Sequence, residues 1–193
     1  FRKKSGVLLA EYDKDLKADI VIGVPDSSIS AASGYAEARR LPYEMGLIKN
    51  RYVARTFIQP TQELRDRGVR MKLSAIRSIV ENKRIVLIDD SIVRGTTSKR
   101  IVHLLKGALE VHMRIASPMI CSPCFYGVDT STKEELIASR MNVDELKEYI
   151  QADSLKFLNV EDLCKIKGGT GLCTACFDKQ YPTELYSYKK IVE

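Results

Sequence analysis

The chain has 193 residues, with 31 lysines and arginines against 25 aspartates and glutamates, which gives a net charge of +6. A hydrophobic fraction of 45% is enough for a packed core, so the composition excludes a disordered or low-complexity chain. No apolar run approaches the ~18 residues of a membrane-spanning helix, so a protein that crosses a membrane in this way is also excluded.

The first part of the chain alternates strand patterns with helical ones. The patterns predict strands at 19–24 and 44–48, and helices at 29–40 and within 61–82, where apolar residues from Met71 to Ile79 recur at helical spacing. A strongly apolar strand at 84–89, a helix after it and a strand at 110–117 continue the alternation. Such alternation predicts an α/β domain with a mostly parallel sheet.

The positive charge is concentrated in residues 39–77. This segment holds ten basic residues and three acidic ones, an excess of seven that accounts for the whole net charge. A solvated basic face is one explanation. The other is an anionic ligand such as phosphate, pyrophosphate or nucleic acid.

The most specific pattern is RIVLIDDSIVRGTTS at residues 84–98. An apolar strand ends in Asp89 and Asp90, and a short loop leads through Arg94, Gly95 and three hydroxyl residues, Thr96, Thr97 and Ser98, into a helix. Ligands of parallel α/β sheets bind beyond the carboxyl ends of the strands, and a helix N-terminus offers N–H groups to a phosphate. Adjacent carboxylates accept hydrogen bonds from sugar hydroxyls or hold Mg²⁺. The pattern therefore predicts a sugar-phosphate site.

The pattern changes after residue 118. Residues 131–150 predict two short helices, the first capped by Thr130 or Ser131 and the second by a capping box of Asn142 and Glu145. We expect residues 1–118 to form the core, and residues 119–193 to form an extension that packs on it.

The extension contains all five cysteines, and four of them form two C-x-x-C pairs. The pairs are Cys121 with Cys124 and Cys173 with Cys176. Taken alone, two such pairs fit a zinc site and an iron–sulfur site equally well.

The sequence resembles a known family at two levels. Residues 89–98 resemble the motif with which type I phosphoribosyltransferases bind 5-phosphoribosyl-1-pyrophosphate (PRPP). From residue 19 to residue 188 the chain resembles the iron–sulfur type of bacterial glutamine phosphoribosylpyrophosphate amidotransferases, also called amidophosphoribosyltransferases. The segments that carry this resemblance are VIGVPDSSISAASGYAEA, GLIKNRYVARTFIQPTQELRDRGVRMKLSAIR, DDSIVRGTTS, PCFYGVDTST, EELIAS, CTACF and YPTELY.

The resemblance implies a type I phosphoribosyltransferase fold with a helical and cysteine-rich extension, and it implies a set of site residues. The PRPP-binding residues would be Asp26, Ser27, Ser28, Asp89, Asp90, Ser91, Arg94, Gly95, Thr96, Thr97 and Ser98. The catalytic set would be Asp89, Asp90, Lys49 and Arg51, and Mg²⁺ would be held by Ser27, Asp89 and Asp90. The stretch of about 51–71 resembles the family's flexible loop, which orders over bound PRPP.

The same resemblance implies a [4Fe–4S] cluster held by Cys124, Cys173 and Cys176, with zinc as the alternative. The family's fourth ligand would precede residue 1, and Cys121 is a candidate substitute. The N-terminal glutaminase domain, which begins with a catalytic cysteine, would be absent, since residue 1 is Phe and the first cysteine is Cys121.

The implied reaction is the first step of de novo purine biosynthesis. Ammonia, derived from glutamine in the intact enzyme, displaces pyrophosphate from PRPP and forms 5-phosphoribosylamine. The implied setting is a cytoplasmic homo-oligomer, a homotetramer in the family, with purine nucleotides as feedback inhibitors and without nucleic acid or membrane partners.

Two other functions fit parts of the sequence. A nucleobase-salvage phosphoribosyltransferase would share the PRPP motif but lack the CFYGVDTS segment and the cysteine-rich tail. A non-catalytic PRPP-sensing regulator that binds DNA would suit the basic segment, although neither end has a helix-turn-helix or winged-helix pattern.

Overall fold

A parallel sheet with helices on both faces forms the centre of the molecule. The computed structural model describes residues 1–50, 73–128, 133–169 and 171–185. In chain order, the elements are α1 (Arg2–Glu11), β1 (Ile20–Gly23), α2 (Ile29–Arg39), β2 (Leu47–Lys49), β3 (Leu73–Ala75), α3 (Arg77–Val80), β4 (Arg84–Asp89), α4 (Thr96–Leu104), β5 (Glu110–Ile115), α5 (Val143–Ile150), β6 (Ser154–Phe157), α6 (Val160–Lys165) and α7 (Ala175–Asp178). Two 3₁₀ turns, Lys133–Glu135 and Ile137–Ser139, precede α5.

The four strands of the central sheet have the order β1-β4-β5-β6, and each neighbouring pair is parallel. Strands β2 and β3 form a separate antiparallel pair. The predicted α/β class with a mostly parallel sheet is confirmed.

The sheet is buried on both faces, which explains why its central strands are almost continuously apolar. Ile85 and Leu87 of β4 join a core that α4 and α5 cover, and Val86 and Ile88 face the opposite core, which α1 and α2 cover. All four of these β4 side chains are fully buried. The strand that leads to the two aspartates is therefore fixed from both sides.

Helices α1 and α2 cross at two glycines. A Cβ atom on Gly6 would lie 1.8 Å from the carbonyl oxygen of Ala31, and one on Gly34 would lie 2.1 Å from that of Lys3. Only a residue without a side chain permits backbones to approach this closely. The crossing fixes α1 against the helix that follows β1.

A buried ionic network connects the N-terminal region to the sheet. Asp13 accepts hydrogen bonds from Arg114 (2.5 and 2.9 Å), Tyr35 (2.7 Å) and Lys156 (2.9 Å). The side chains of Asp13 and Arg114 are each 1% exposed. Burial opposes the ionisation of Asp13, but the hydrogen bonds and charge of Arg114 prevail and lower the pKa of this carboxyl below its usual value.

The helix predicted within residues 61–82 differs from the structure. Residues Leu73–Ala75 form strand β3 instead of part of a helix, because they pair with β2, and the helix after them is only Arg77–Val80. The rest of the predicted helical stretch, residues 61–72, lies outside the described residues, as do Thr130 and Ser131. The capping box of Asn142 and Glu145 is confirmed.

The sequence patterns also missed strand β6. It pairs in parallel with β5, and Leu146 and Ile150 of α5 are buried in the core that α4 covers. Residues 119–193 therefore contribute a strand and a helix to the central α/β unit, in addition to packing on it. The division of the chain at residue 118 stays a prediction.

The Asp13→Ala variant is expected to lose about 3–5 kcal/mol of unfolding free energy, because it leaves the buried Arg114 without its anionic partner. Urea denaturation measures this loss. The control is Asp15→Ala, which removes an exposed carboxylate from the same turn region and should change stability by about 0.5 kcal/mol or less. Equal effects of the two variants would contradict the role assigned to the network.

Candidate functional site

A cleft of about 640 Å³ opens at the carboxyl ends of β1 and β4. The two strands are adjacent and parallel, with Gly23 opposite Ile88, so their following loops meet. The cleft is lined by Val24, Pro25, Asp26, Ser27, Lys49, Leu73, Asp89, Asp90, Ser91, Ile92, Val93, Arg94, Gly95, Thr96, Thr97, Ser98, Arg100 and Ile101. This is the position at which parallel α/β sheets bind ligands.

The acidic side of the cleft is built on Asp89, the last residue of β4. Its carboxylate is buried and accepts hydrogen bonds from the Ser28 hydroxyl (3.0 Å) and the Asp90 amide (2.9 Å). Burial raises the pKa of Asp89 to about 7, and the negative charge of Asp90 adds to the shift. Both of these described donors are neutral.

A buried carboxylate whose described hydrogen-bond donors are neutral, beside a second carboxylate at the rim of a cleft, suits a divalent cation. Mg²⁺ prefers oxygen ligands and is commonly bound through one or two carboxylates together with substrate phosphates. Asp89, Asp90 and Ser27 all line the cleft and all offer oxygen atoms. These residues therefore fit the magnesium site that the sequence predicted.

The phosphate side of the cleft is the beginning of α4. Gly95 is the N-cap residue of this helix and has a φ of +74°. Because glycine has no side chain, no side-chain cap accepts hydrogen bonds from the first N–H groups of the helix. The first turn of the helix contains no acidic residue, and Thr96 and Thr97 are exposed. Uncapped amides, a positive dipole end and two hydroxyls give this turn the chemistry that suits an anion.

The third side of the cleft is the loop after β1. The ammonium of Lys49 pairs with the carboxylate of Asp26 at 2.5 Å, and Arg2 of α1 donates a hydrogen bond to the carbonyl oxygen of Ser27 at 2.7 Å. The peptide bond between Pro25 and Asp26 is cis. The loop after β1 and Lys49, the last residue of β2, thus form one part of the cleft wall.

The structure brings nearly all the predicted PRPP-binding residues together in the cleft. Ser28 differs, because it is fully buried and contacts Asp89, so its hydroxyl orients that carboxylate. Arg51 and the predicted loop of about 51–71 lie outside the described residues. Sequence reasoning missed two arginines. Arg2 contacts the loop after β1 but is far from the motif in sequence, and Arg100 lines the cleft one helical turn after Thr96.

The predicted cluster cysteines lie near one another in the extension. The amides of Cys121 and Ser122 both donate to the carbonyl oxygen of Cys176, at 2.9 and 3.1 Å. Burial raises the pKa of Cys176 to about 11, and the charges of Cys124, Cys173 and Cys121 raise it further. The thiol of Cys121 donates to the carbonyl oxygen of Phe177 at 2.9 Å.

This arrangement offers the thiol donors that an iron–sulfur cluster uses. Across residues 1–50, 73–128, 133–169 and 171–185, no three His, Cys, Asp or Glu side chains are positioned to hold one metal ion. In a cluster each thiolate binds a different iron, so four sulfurs need not meet at one point. The thiols fit the chemistry of a cluster and of a zinc site alike, so the iron–sulfur ligand set stays a prediction with zinc as its alternative.

Among the described residues, no helix is both long and apolar enough to cross a membrane.

Comparison with known proteins gives consistent matches along the chain, although no protein-family model matches it. The amidophosphoribosyltransferase of Bacillus subtilis (strain 168) is 61% identical over 193 residues, which cover 96% of this chain and 40% of that protein. The amidophosphoribosyltransferase of Staphylococcus aureus (strain MRSA252) is 58% identical over 196 residues, which cover 97% of this chain and 40% of that protein.

Solved structures agree with these sequence matches. The B. subtilis glutamine phosphoribosylpyrophosphate (PRPP) amidotransferase complexed with ADP and GMP has a TM-score of 0.86 and 60% identity, covering 99% of this chain and 43% of that chain. A structure described as the allosteric regulatory enzyme of purine biosynthesis gives the same score and identity, covering 42% of that chain. The present chain thus spans about two fifths of the length of the relatives it matches.

The Asp89→Asn variant should gain stability relative to the wild type as the pH rises. The unfolded carboxyl ionises near 3.8 and the folded one near 7, so the folded wild type binds the extra proton between these values and loses stability as the pH rises through them. Without Mg²⁺, the difference in unfolding free energy should change by about 2–4 kcal/mol between pH 4 and pH 8. A difference in unfolding free energy between variant and wild type that does not vary with pH would contradict the assignment.

Proposed function

We propose that this homologue of one part of the amidophosphoribosyltransferases transfers the phosphoribosyl group of PRPP to ammonia, releasing pyrophosphate and forming 5-phosphoribosylamine. The observation that carries the proposal is the cleft in which Asp89 and Asp90 face the uncapped N-terminus of α4. This juxtaposition matches the two ends of a ribose 5-phosphate, which are its ring hydroxyls and its phosphate. The identity of 61% to the B. subtilis enzyme supports the choice of reaction.

Each side of the cleft has one task in the proposed reaction. The amides and hydroxyls of the turn from Arg94 to Ser98 bind the 5′-phosphate. Asp89 and Asp90 accept hydrogen bonds from the ribose hydroxyls, and the backbone near Asp26 and Ser27 meets the pyrophosphate together with Lys49. Ser28 orients the carboxylate of Asp89. Arg51 is proposed to assist Lys49, and it lies outside the described residues.

The chemical step is a displacement at C1 of the ribose. A nitrogen–carbon bond forms as the bond from C1 to the pyrophosphate oxygen breaks, and the attacking nitrogen then loses a proton. Ammonia is already a good nucleophile, so the main contribution of the protein is to hold the reactants and stabilise the negative charge on the departing pyrophosphate. Lys49 is a cation suited to that task. Mg²⁺, held by Ser27, Asp89 and Asp90, would supply further positive charge there.

The wider setting is proposed from the relatives. In the intact enzyme glutamine would supply the ammonia, and the protein would act in the cytoplasm as a homotetramer in the first step of purine biosynthesis. Because a related structure is complexed with ADP and GMP, purine nucleotides are proposed as feedback inhibitors. Nucleic acids and membranes are not proposed as partners.

We also propose that Cys124, Cys173 and Cys176 hold a [4Fe–4S] cluster, with Cys121 as a candidate fourth ligand. The contact between the two C-x-x-C pairs supports this ligand set, since the amides of Cys121 and Ser122 donate to the carbonyl oxygen of Cys176. When bound, such a cluster would join the C-x-x-C turn before residue 125 to the loop that begins α7. Its role would be to stabilise the extension.

Ammonia- and Mg²⁺-dependent release of pyrophosphate from PRPP tests the reaction. The variant Asp89→Asn plus Asp90→Asn should lower the rate by about a hundredfold or more, because it removes both carboxylates from the ribose and metal site. The control variant carries Asp15→Asn plus Asp144→Asn, two exposed acids that do not line the cleft, and should keep the wild-type rate.

The result also separates the proposal from its alternatives. Full activity of the Asp89 and Asp90 variant would show that the site is wrongly assigned. Binding of PRPP without pyrophosphate release by the wild type would favour the PRPP-sensing regulator. Release that depends on a purine or pyrimidine base in place of ammonia would favour a salvage enzyme.

Iron and acid-labile sulfide analysis of anaerobically purified protein tests the cluster. We expect iron and sulfide in equal amounts, and we expect both to be lost in Cys124→Ser but retained in Cys164→Ser, because Cys164 lies on α6, outside the two C-x-x-C pairs. Zinc without acid-labile sulfide would overturn the proposal.

A further inference from the structure

We propose that Glu135 is a positioning residue for the 5′-phosphate site, and that it acts through Arg94. This inference rests on the proposed function, which assigns the 5′-phosphate to the turn from Arg94 to Ser98. Glu135 belongs to the extension, outside the PRPP motif, and neither its residue type nor its sequence position marks it as part of the site.

The ion pair between the two side chains is the first observation. Arg94 Nη2 donates to Glu135 Oε2 at 2.8 Å, and the side chains are 52% and 42% exposed. An exposed pair of this kind contributes little to folding stability. Its geometric effect is larger, because it selects one orientation of a long and flexible arginine side chain.

The position of the pair between two cavities is the second observation. Arg94 lines both the main cleft and a neighbouring cavity of about 440 Å³. Glu135 lines the neighbouring cavity, and it is not among the described residues that line the cleft. The carboxylate therefore contacts the guanidinium from the neighbouring cavity. One of the five guanidinium N–H donors is used by this bond, which leaves donors for a phosphate in the cleft.

The backbone around Glu135 is fixed to the phosphate loop. The amide of Ile137 donates to the carbonyl oxygen of Val93 at 2.8 Å. The Ile137 side chain also lies 3.5 Å from the position that a Cβ atom on Gly95 would take. These two contacts hold the turn that carries Glu135 in register with the residues on either side of Arg94.

Pre-orientation of Arg94 should strengthen phosphate binding, because ordering a flexible side chain on binding weakens affinity. The negative charge of Glu135 opposes this effect, but its carboxylate is paired with Arg94, lines the neighbouring cavity, and is screened at physiological ionic strength because the pair is partly exposed. The proposal therefore predicts that the pair favours binding of the phosphate end of PRPP and has little effect at the pyrophosphate end.

The test measures binding of two probes to the purified protein with Mg²⁺ present, ribose 5-phosphate for one end of the cleft and inorganic pyrophosphate for the other. In Glu135→Gln, affinity for ribose 5-phosphate should fall by about threefold to tenfold, while affinity for pyrophosphate stays within about twofold of the wild type. The KM for PRPP should rise by a similar factor, and kcat should change little. The control is Glu134→Gln, an exposed neighbour, for which both affinities should stay unchanged.

A double variant separates positioning from a general structural effect. If Glu135 acts through Arg94, then Arg94→Gln plus Glu135→Gln should bind ribose 5-phosphate no more weakly than Arg94→Gln alone. Independent and additive losses, an unchanged affinity in Glu135→Gln, or a tighter one would each overturn the inference. Failure of the wild type to bind ribose 5-phosphate and PRPP would instead overturn the proposed function.

Discussion

The parallel pairing of β1 with β4 is the constraint on which the rest of the site depends. Because Gly23 lies opposite Ile88, the loop after β1 and the acidic end of β4 reach the same edge of the sheet. The hydrogen bond from Ser28 to Asp89 then joins the two loops directly. Apolar side chains on both faces of β4 hold the strand in place, so the aspartates are carried by one of the most rigid parts of the molecule.

The sequence permitted prediction of the features that depend on local pattern. The strand at 84–89, the two acids and the hydroxyl-rich turn all have local signatures, and the structure has them in the predicted places. The failures have a tertiary cause. Leu73–Ala75 follows a helical spacing but pairs with β2. Strand β6 is short, SLKF, and Leu155 is its one buried residue. Neither pairing is encoded by periodicity alone.

Groups that contact the site from a distance in sequence were equally hard to predict. Arg2 reaches the carbonyl oxygen of Ser27 across 25 positions, and Glu135 reaches Arg94 across 41. Arginine and glutamate are common on protein surfaces, so only the fold distinguishes these two from their neighbours. The extension that supplies Glu135 also completes the sheet, and this explains how a segment outside the core motif comes to border the phosphate turn.

The glycine crossing of α1 and α2 has an evolutionary consequence. Gly6 and Gly34 are 28 positions apart, yet each gives the backbone of the other helix the room that the close crossing requires. A larger residue at either position would push the helices apart, and the other glycine would then leave a void in place of a contact. The two positions should therefore vary together among descendants of this chain, and the same separation would withdraw Arg2 from the loop that carries Ser27.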